Sequence, residues 1–356
     1  QSAHHRALDV VVNYESAWRG ELGNMLLRDG WDVIVSDECH RIKSPGSKQS
    51  KYMHRLGQRA GRRIALSGTP FPQGPLDAYA IYRFINPSIF GKSFYTFRNR
   101  YAIMGGFNAK QVIGYQNKED LNRRINSVRF YAGRDLLDLP EAVHHQVRLQ
   151  LPKGSVKAYR DVERDMYAWI ESAGAEVTAA NALVKLLRLQ QMTSGYVRGD
   201  DDSFSELHTV KQEATDEILR DIDSAEKVVI FCRFTHDIEA AQVAAGLAGR
   251  HSFEISGKRN QLEEWRQAED PGAVLAVQID SGSEGISLTD ARHCILWSVG
   301  FSLSKYLQAL ARTHRPGQTE TCFYHHLVME DTVDEKVYAA LQKKQDIIES
   351  IIGEVQ

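Results

Sequence analysis

Only four of the 356 residues are cysteine, and Cys39, Cys232, Cys294 and Cys322 are scattered without a close pair. That spacing excludes a disulfide framework and a cysteine-based zinc site, and it fits a reducing compartment. Neither sign of charge dominates: 44 Lys and Arg stand against 46 Asp and Glu, a formal net charge of −2 with a pI of about 6.7. A chain-wide basic field is therefore excluded, and any contact with a polyanion must come from a local cleft. No apolar run is long enough to cross a bilayer, and no secretory signal is visible. Short-period repeats and low-complexity tracts are absent as well. The first residue is Gln1 and not Met, so a longer parent chain is expected. What remains is enough for two hydrophobic cores, with 42% of the residues hydrophobic.

Strand and helix patterns alternate in two blocks. Residues 8–13 (L-D-V-V-V-N), 33–35 (V-I-V) and 63–67 (R-I-A-L-S) are short apolar runs of the kind that fill strands buried on both faces. Helical spacing separates them at 15–28 and 47–56, which implies a largely parallel sheet. Helices are expected at 75–84, 94–104 and 118–126, and Pro140 marks a break with extended residues 143–149 beyond it. The expected division is therefore 1–139 and 140–356, with helical insertions at about 75–128 and 153–195. Within the second block, helices are expected at 155–170 and 179–192, and 199–205 is a solvated acidic loop. The alternation then resumes: strands at 228–231, 252–255, 273–277 and 294–297, and helices at 238–247, 260–267, 303–312 and 332–352.

Two groups of residues carry chemistry. The run Val33-Ile34-Val35 stops at two adjacent acids, Asp37 and Glu38. Chemistry in open α/β sheets sits just past the carboxyl ends of strands. There one carboxylate suits the hard Mg²⁺ ion and the other an attacking water; a solvated loop after a core strand remains the plain alternative. In the second group, Gln308, Arg312 and Arg315 are spaced four and three apart, so a helix would place all three on one face. Guanidinium forks clamp phosphate oxygens, although two arginines on one stripe also suit a solvated face. Residues 281–289 (S-G-S-E-G-I-S-L-T) fit a phosphate cradle, with Gly282 and Gly285 for close backbone approach and Ser281 and Ser283 for hydroxyls. Ser256-Gly257-Lys258-Arg259 offers a second cradle, or a plain turn before a helix. The histidine pairs 4–5, 144–145 and 325–326 are better explained by strand packing or surface than by metal, because adjacent strand residues point to opposite faces.

Taken in order, these stretches resemble the Swi/Snf-like branch of the superfamily-two helicases. Asp37-Glu38-Cys39-His40, with its continuation R-I-K-S-P-G-S-K, resembles motif II, and Ser67-Gly68-Thr69-Pro70 resembles motif III. Val12-Asn13-Tyr14-Glu15 is similar to an upstream strand-contact motif, residues 229–234 (V-I-F-C-R-F) to motif IV, 281–289 to motif V, and 308–318 to motif VI. Residues 331–336 (D-T-V-D-E-K) resemble the family's closing helix. The resemblance implies an α/β protein of two RecA-like lobes, parallel sheets flanked by helices, with ATP and Mg²⁺ as cofactors. It implies that Asp37 holds Mg²⁺, Glu38 activates water, and Arg312 and Arg315 act as arginine fingers supported by Gln308. His40, Ser67 and Thr69 would couple nucleotide state to lobe movement. Nucleic-acid contacts would come from Asn13, Tyr14, Arg233, Ser256, Gly257, Lys258, Ser281, Gly282, Ser283 and Gly285. The implied partner is DNA, double-stranded and held through its backbone, with no membrane and a monomeric state. The cytoplasm of a bacterial or virus-infected cell, or a nucleus, is the expected compartment.

Two departures qualify this. Ala311 stands where the family has an acidic or glycine residue before the first motif VI arginine. More important, no G-x-x-x-x-G-K-[ST] phosphate loop occurs anywhere in the chain. The resemblance places that loop before Asn13, hence before Gln1, so a preceding segment of the same protein is the expected partner. This chain alone is expected to bind ATP poorly, and its first lobe to be incomplete, with apolar neighbours and strand edges uncovered. The expected activity is that of a double-stranded DNA translocase in the parent protein. The alternatives are a strand-separating DNA or RNA helicase and a nucleic-acid-binding scaffold without ATPase activity.

Overall fold

The computed structural model describes residues 9–106, 111–133, 136–172, 179–198, 203–280 and 285–352. The chain divides into two units, Gln1–Phe130 with Lys344–Gln356, and Tyr131–Lys343. The division falls between Phe130 and Tyr131, ahead of the expected 139/140 boundary, and the chain end counts with the first unit.

Unit 1 runs α1 (Tyr14–Ala17), α2 (Gly20–Arg28), β1 (Trp31–Ser36), α3 (Lys48–Gly57), β2 (Ala60–Ala65), α4 (Ala78–Ile85), α5 (Phe94–Tyr101), β3 (Ala102–Gly105), β4 (Gln111–Tyr115) and α6 (Lys118–Asn126). β1 and β2 pair in parallel, Val35 opposite Ile64, and form a sheet of two strands. The expected strand at 8–13 is not formed: the described residues 9–13 are irregular, and Val11 is 98% exposed. An apolar run becomes a strand only where a neighbour accepts its backbone hydrogen bonds, and neither described strand of this sheet takes 9–13 as a partner. The expected helix at 15–28 is broken at Trp18–Arg19, where Gly20 has φ +56. The helix expected to 104 stops at Tyr101 and turns into the β3–β4 hairpin.

Alternation inside the β1–β2 sheet has one direction. Ile34 and Ala65 pack against the core made by α3, α4 and the aromatics Tyr79, Phe84, Phe97 and Tyr101. Val33, Val35, Ile64 and Leu66 are 44, 53, 45 and 48% exposed. The run 33–35 is thus buried on one face, not on both as expected, because no described element covers the other.

Unit 2 continues β5 (Ala142–Leu149), α7 (Lys153–Ser172), α8 (Ala179–Thr193), β6 (Tyr196–Arg198), β7 (Phe204–Glu206), α9 (Val210–Asp221), β8 (Val228–Cys232), α10 (Thr235–Leu247), β9 (Ser252–Ile255), α11 (Leu262–Arg266), β10 (Val274–Gln278), β11 (His293–Leu296), α12 (Leu303–Leu310), β12 (Cys322–Met329) and α13 (Val333–Ile352). Six strands form one parallel sheet in the order β5-β12-β11-β8-β10-β9. β8 is buried along its whole length, as a central strand covered on both faces requires. β12, α9 and the β6–β7 hairpin were not anticipated. α13 is docked through Asp334, which takes the buried Lys211 Nζ at 2.8 Å and the Thr193 hydroxyl at 2.8 Å. No helix among the described residues is long and apolar enough to cross a membrane.

Candidate functional site

In unit 1 the site forms where β1 ends. Glu38 takes the left-handed conformation, φ 45 and ψ 52, which starts the short 3-10 turn Cys39–Ile42. The turn is pinned from both strands, with Cys39 N donating to Leu66 O at 2.9 Å and Leu66 N to Ser36 O at 2.9 Å. This sharp exit projects both acids beyond the sheet. Asp37 is exposed, and one of its carboxylate oxygens accepts Glu38 N at 2.9 Å. Glu38 Oε2 lies 3.1 Å from His40 Nδ1 and accepts the Ser67 hydroxyl at 3.4 Å. His40 Nδ1 also lies 3.4 Å from Ser67 Oγ, and Ser67 Oγ accepts Thr69 N at 3.1 Å. Glu38, His40, Ser67 and Thr69 therefore form one hydrogen-bonded chain from the end of β1 to the loop after β2.

Tyr14 closes the back of this turn. Its hydroxyl is 2.5 Å from Ser36 Oγ and donates to Asp37 O at 2.5 Å; burial first, and the nearby Cys39 and Asp37, push its pKa up to about 12. Asn13 caps α1, its side chain accepting Ser16 N at 2.8 Å. Both residues thus have structural tasks at the turn after β1; the expectation for them was nucleic-acid contact.

For Mg²⁺ the donor set is the test. Asp37 offers a hard carboxylate oxygen at the surface, and no cluster of three His, Cys, Asp or Glu able to hold a metal exists among the described residues. One carboxylate with water and phosphate completing the shell is how Mg²⁺ is commonly held, so Asp37 fits.

In unit 2 a cavity lies past the carboxyl ends of β8 and β10. Its lining includes Asp280, Ile286, Lys305, Gln308 and Arg312. α12 stops at Leu310 with Ala311 as its cap, so the expected single helix face for Gln308, Arg312 and Arg315 is not what brings them together. A helix disfavours the residue before a proline, and Arg315 precedes Pro316. The turns after α12 achieve the gathering instead: Arg312 Nη1 and Arg315 Nη1 both donate to Ile286 O, at 3.2 and 3.3 Å. At the cavity mouth Lys305 pairs with Asp280 at 2.5 Å, both about half exposed.

The remaining predicted residues divide. Arg233 hydrogen-bonds Gln190 Oε1, and its main-chain N donates to Ser298 Oγ at 2.8 Å. Ser256 Oγ accepts Lys258 N and Arg259 N at 3.1 and 3.3 Å and donates to Glu254 Oε1 at 2.5 Å. The amides beyond Gly257 that would cradle phosphate are thus turned onto Ser256, with a carboxylate beside them; here the plain turn describes the geometry. Ser281, Gly282 and Ser283 lie outside the described residues, and Gly285 follows with φ +99. Sequence reasoning missed Lys305, Asp280 and the carbonyl of Ile286. A main-chain acceptor leaves no mark on residue type.

Parallel α/β units with an acid pair past one strand and two arginines on one loop define a helicase-type protein. A helicase conserved C-terminal domain profile matches residues 210–317, and an SNF2-related domain profile matches residues 5–195. The chain belongs to the SNF2-related family. It is 24% identical over 363 residues to protein p41 of Acyrthosiphon pisum secondary endosymbiont phage 1, covering 95% of this chain and 75% of that one. It is 23% identical to the DNA repair protein rhp54 of Schizosaccharomyces pombe, covering 91% of this chain but only 42% of the relative. Among solved structures, the Sulfolobus solfataricus SWI2/SNF2 ATPase core in complex with dsDNA is similar, with 25% identity, a TM-score of 0.47, and coverage of 92% of this chain and 71% of that one.

Proposed function

We propose that this chain is the motor part of an ATP-dependent translocase that moves along double-stranded DNA. Glu38 carries the reading: its carboxylate is fixed by His40 and Ser67 past the end of a parallel strand. Asp37 would hold Mg²⁺, which when bound would neutralise charge on the phosphates. Glu38 orients and deprotonates water, while Arg312 and Arg315 take up charge developing on the transferred phosphoryl group and Gln308 supports them. His40, Ser67 and Thr69 transmit the state of Glu38 to the loop after β2. DNA is held through its backbone by Asn13, Tyr14, Arg233 and the loop at 281–285, and not by the turn at 256–258, whose amides Ser256 already takes. The relative rhp54, named a DNA repair protein, supports DNA as the substrate.

The test is Glu38→Gln in the protein as the cell makes it. Turnover of ATP should fall to background while nucleotide binding persists; normal turnover refutes the assigned base. Displacement of a triplex strand without unwinding of a forked duplex distinguishes translocation from strand separation. One observation favours a second reading, a scaffold without ATPase activity: no G-x-x-x-x-G-K-[ST] pattern occurs in the 356 residues, and Gly91-Lys92-Ser93 lacks its leading glycine and follows the acid pair. DNA binding with no DNA-stimulated hydrolysis would select it.

A further inference from the structure

Arg233 leaves the carboxyl end of β8, and Val299 and Gly300 follow that of β11, the strand beside it in the sheet. Its guanidinium is held by a residue far away in the chain. Gln190, 3% exposed, lies in α8, within the stretch expected as a helical insertion. Gln190 Oε1 accepts Arg233 Nη1, and Gln190 Nε2 donates to Val299 O at 3.0 Å, so both ends of the amide are used. A Cβ on Gly300 would lie 3.3 Å from Arg233 Cζ, so the guanidinium rests against bare backbone there. It also lies 5.2 Å from the centre of the Phe234 ring. The main chain is fixed as well: Arg233 N donates to Ser298 Oγ at 2.8 Å, and Ser298 Oγ donates to the buried Asp237. α8 is itself anchored three residues on, where the Thr193 hydroxyl reaches Asp334 Oδ1 at 2.8 Å. These restraints spare one edge of the fork. Nε and Nη2 form no hydrogen bond among the described residues, and neither is sealed from solvent. They are the two nitrogens that meet a pair of oxygens side by side. Asp280, Asp237 and Tyr196 act on the guanidinium through charge alone; Asp280 is paired with Lys305 at 2.5 Å, and Asp237 with Ser298. Asp280 immediately precedes the loop at 281–285.

We propose that Gln190 is a positioning residue for Arg233: with Gly300 it seats the guanidinium so that Nε and Nη2 receive two oxygens of one DNA phosphate. The inference rests on the reading that Arg233 contacts the DNA backbone, and deepens it. An unheld arginine loses its rotamer freedom on binding, whereas a seated one has lost it already. α8 thereby bears on the DNA contact through Arg233.

Fluorescence anisotropy of a short mixed-sequence DNA duplex across a salt series, on the protein as the cell makes it, tests this. Arg233→Ala should weaken binding about tenfold and reduce the slope of log K against log salt by about 0.9, one phosphate contact. Gln190→Met keeps the length of the side chain without its amide. It should weaken binding about fivefold, the scale of ordering one long side chain, with the slope unchanged because the charge remains. Placed on Arg233→Ala, Gln190→Met should have no further effect. A loss of equal size in both backgrounds would mean that Gln190 only supports the fold, and would overturn the proposal. Unaltered binding by Gln190→Met beside a weakened Arg233→Ala would overturn it too. Gly300→Val attacks the seat independently: a side chain there should displace the guanidinium and weaken binding only while Arg233 is present. If Gln190→Met shows no cooperative urea transition, this second cycle decides, and unchanged binding by Gly300→Val then overturns the seat. Unchanged binding by Arg233→Ala would instead remove the reading that Arg233 holds DNA, and the proposal with it.

Discussion

Glu38 holds a backbone conformation that costs a non-glycine residue roughly 1–2 kcal/mol, at φ 45 and ψ 52. Strain of this kind persists where the surroundings over-determine it, and such places are often functional. Here Cys39 N on Leu66 O and the Glu38 contacts to His40 and Ser67 impose it. Glu38→Gly should therefore match or exceed the original chain in stability, by up to about 1 kcal/mol in urea unfolding, while losing the proposed ATP turnover. A clear loss of stability would mean that the Glu38 hydrogen bonds outweigh the strain. Acidic and basic side chains past strand ends were legible from residue type alone, because their chemistry is carried by the side chain. The arrangement around them was not. Lys211 and Asp334 are 123 positions apart yet form a buried pair, and the oxygen on which Arg312 and Arg315 meet belongs to the backbone of Ile286.

Elements show the same division. β8 and β10 were legible as continuous apolar runs, since a central parallel strand is buried on both faces. β12 (C-F-Y-H-H-L-V-M) was not, because two histidines interrupt its apolar pattern. Burial turns those histidines into an acid-sensitive joint between β12 and β5. His326 is driven down to about 3, by burial first and then by His144 and His325, and His325 to about 4, by burial and then His293 and His145. His144 Nδ1 is 2.9 Å from His326 Nε2, and Tyr338 OH is 3.2 Å from His326 Nδ1. Tyr324 stacks on His144, Tyr306 flanks His326, and His314 adds repulsion to His144 from the turn after α12. A base whose folded pKa lies below its unfolded 6.5 contributes full stability above pH 6.5 and loses it as pH falls toward the folded value. The urea midpoint of unit 2 should fall steadily from pH 6.5 to pH 4, and His326→Gln should flatten that slope. A midpoint independent of pH across this window would contradict the buried neutral pair.

At the scale of the molecule the two units differ in how far their described sheets are covered. Unit 2 has a six-strand sheet, and unit 1 presents two parallel strands with Val33, Val35, Ile64 and Leu66 outward. Parallel sheets are ordinarily covered on both faces. Unit 1 should therefore bind the dye ANS at neutral pH, and Val33→Thr with Val35→Lys should lower both dye fluorescence and light scattering. Solvent-face changes of this kind usually stay within about 0.5 kcal/mol, so melting of unit 2 should not shift. Unchanged dye binding would place the apolar surface elsewhere. The small sheet of unit 1 was legible in the chain, which carries no G-x-x-x-x-G-K-[ST] pattern and hence no strand leading into one. The failure of 8–13 to supply a strand was not, since hydropathy records what a segment prefers to bury and not whether a neighbour exists. A ribbon with one oily flank and raw hydrogen-bonding rims is adhesive by geometry. Crowded with its own kind, such a molecule finds the same rim on the next copy, so colloidal behaviour will set how concentrated a solution it tolerates.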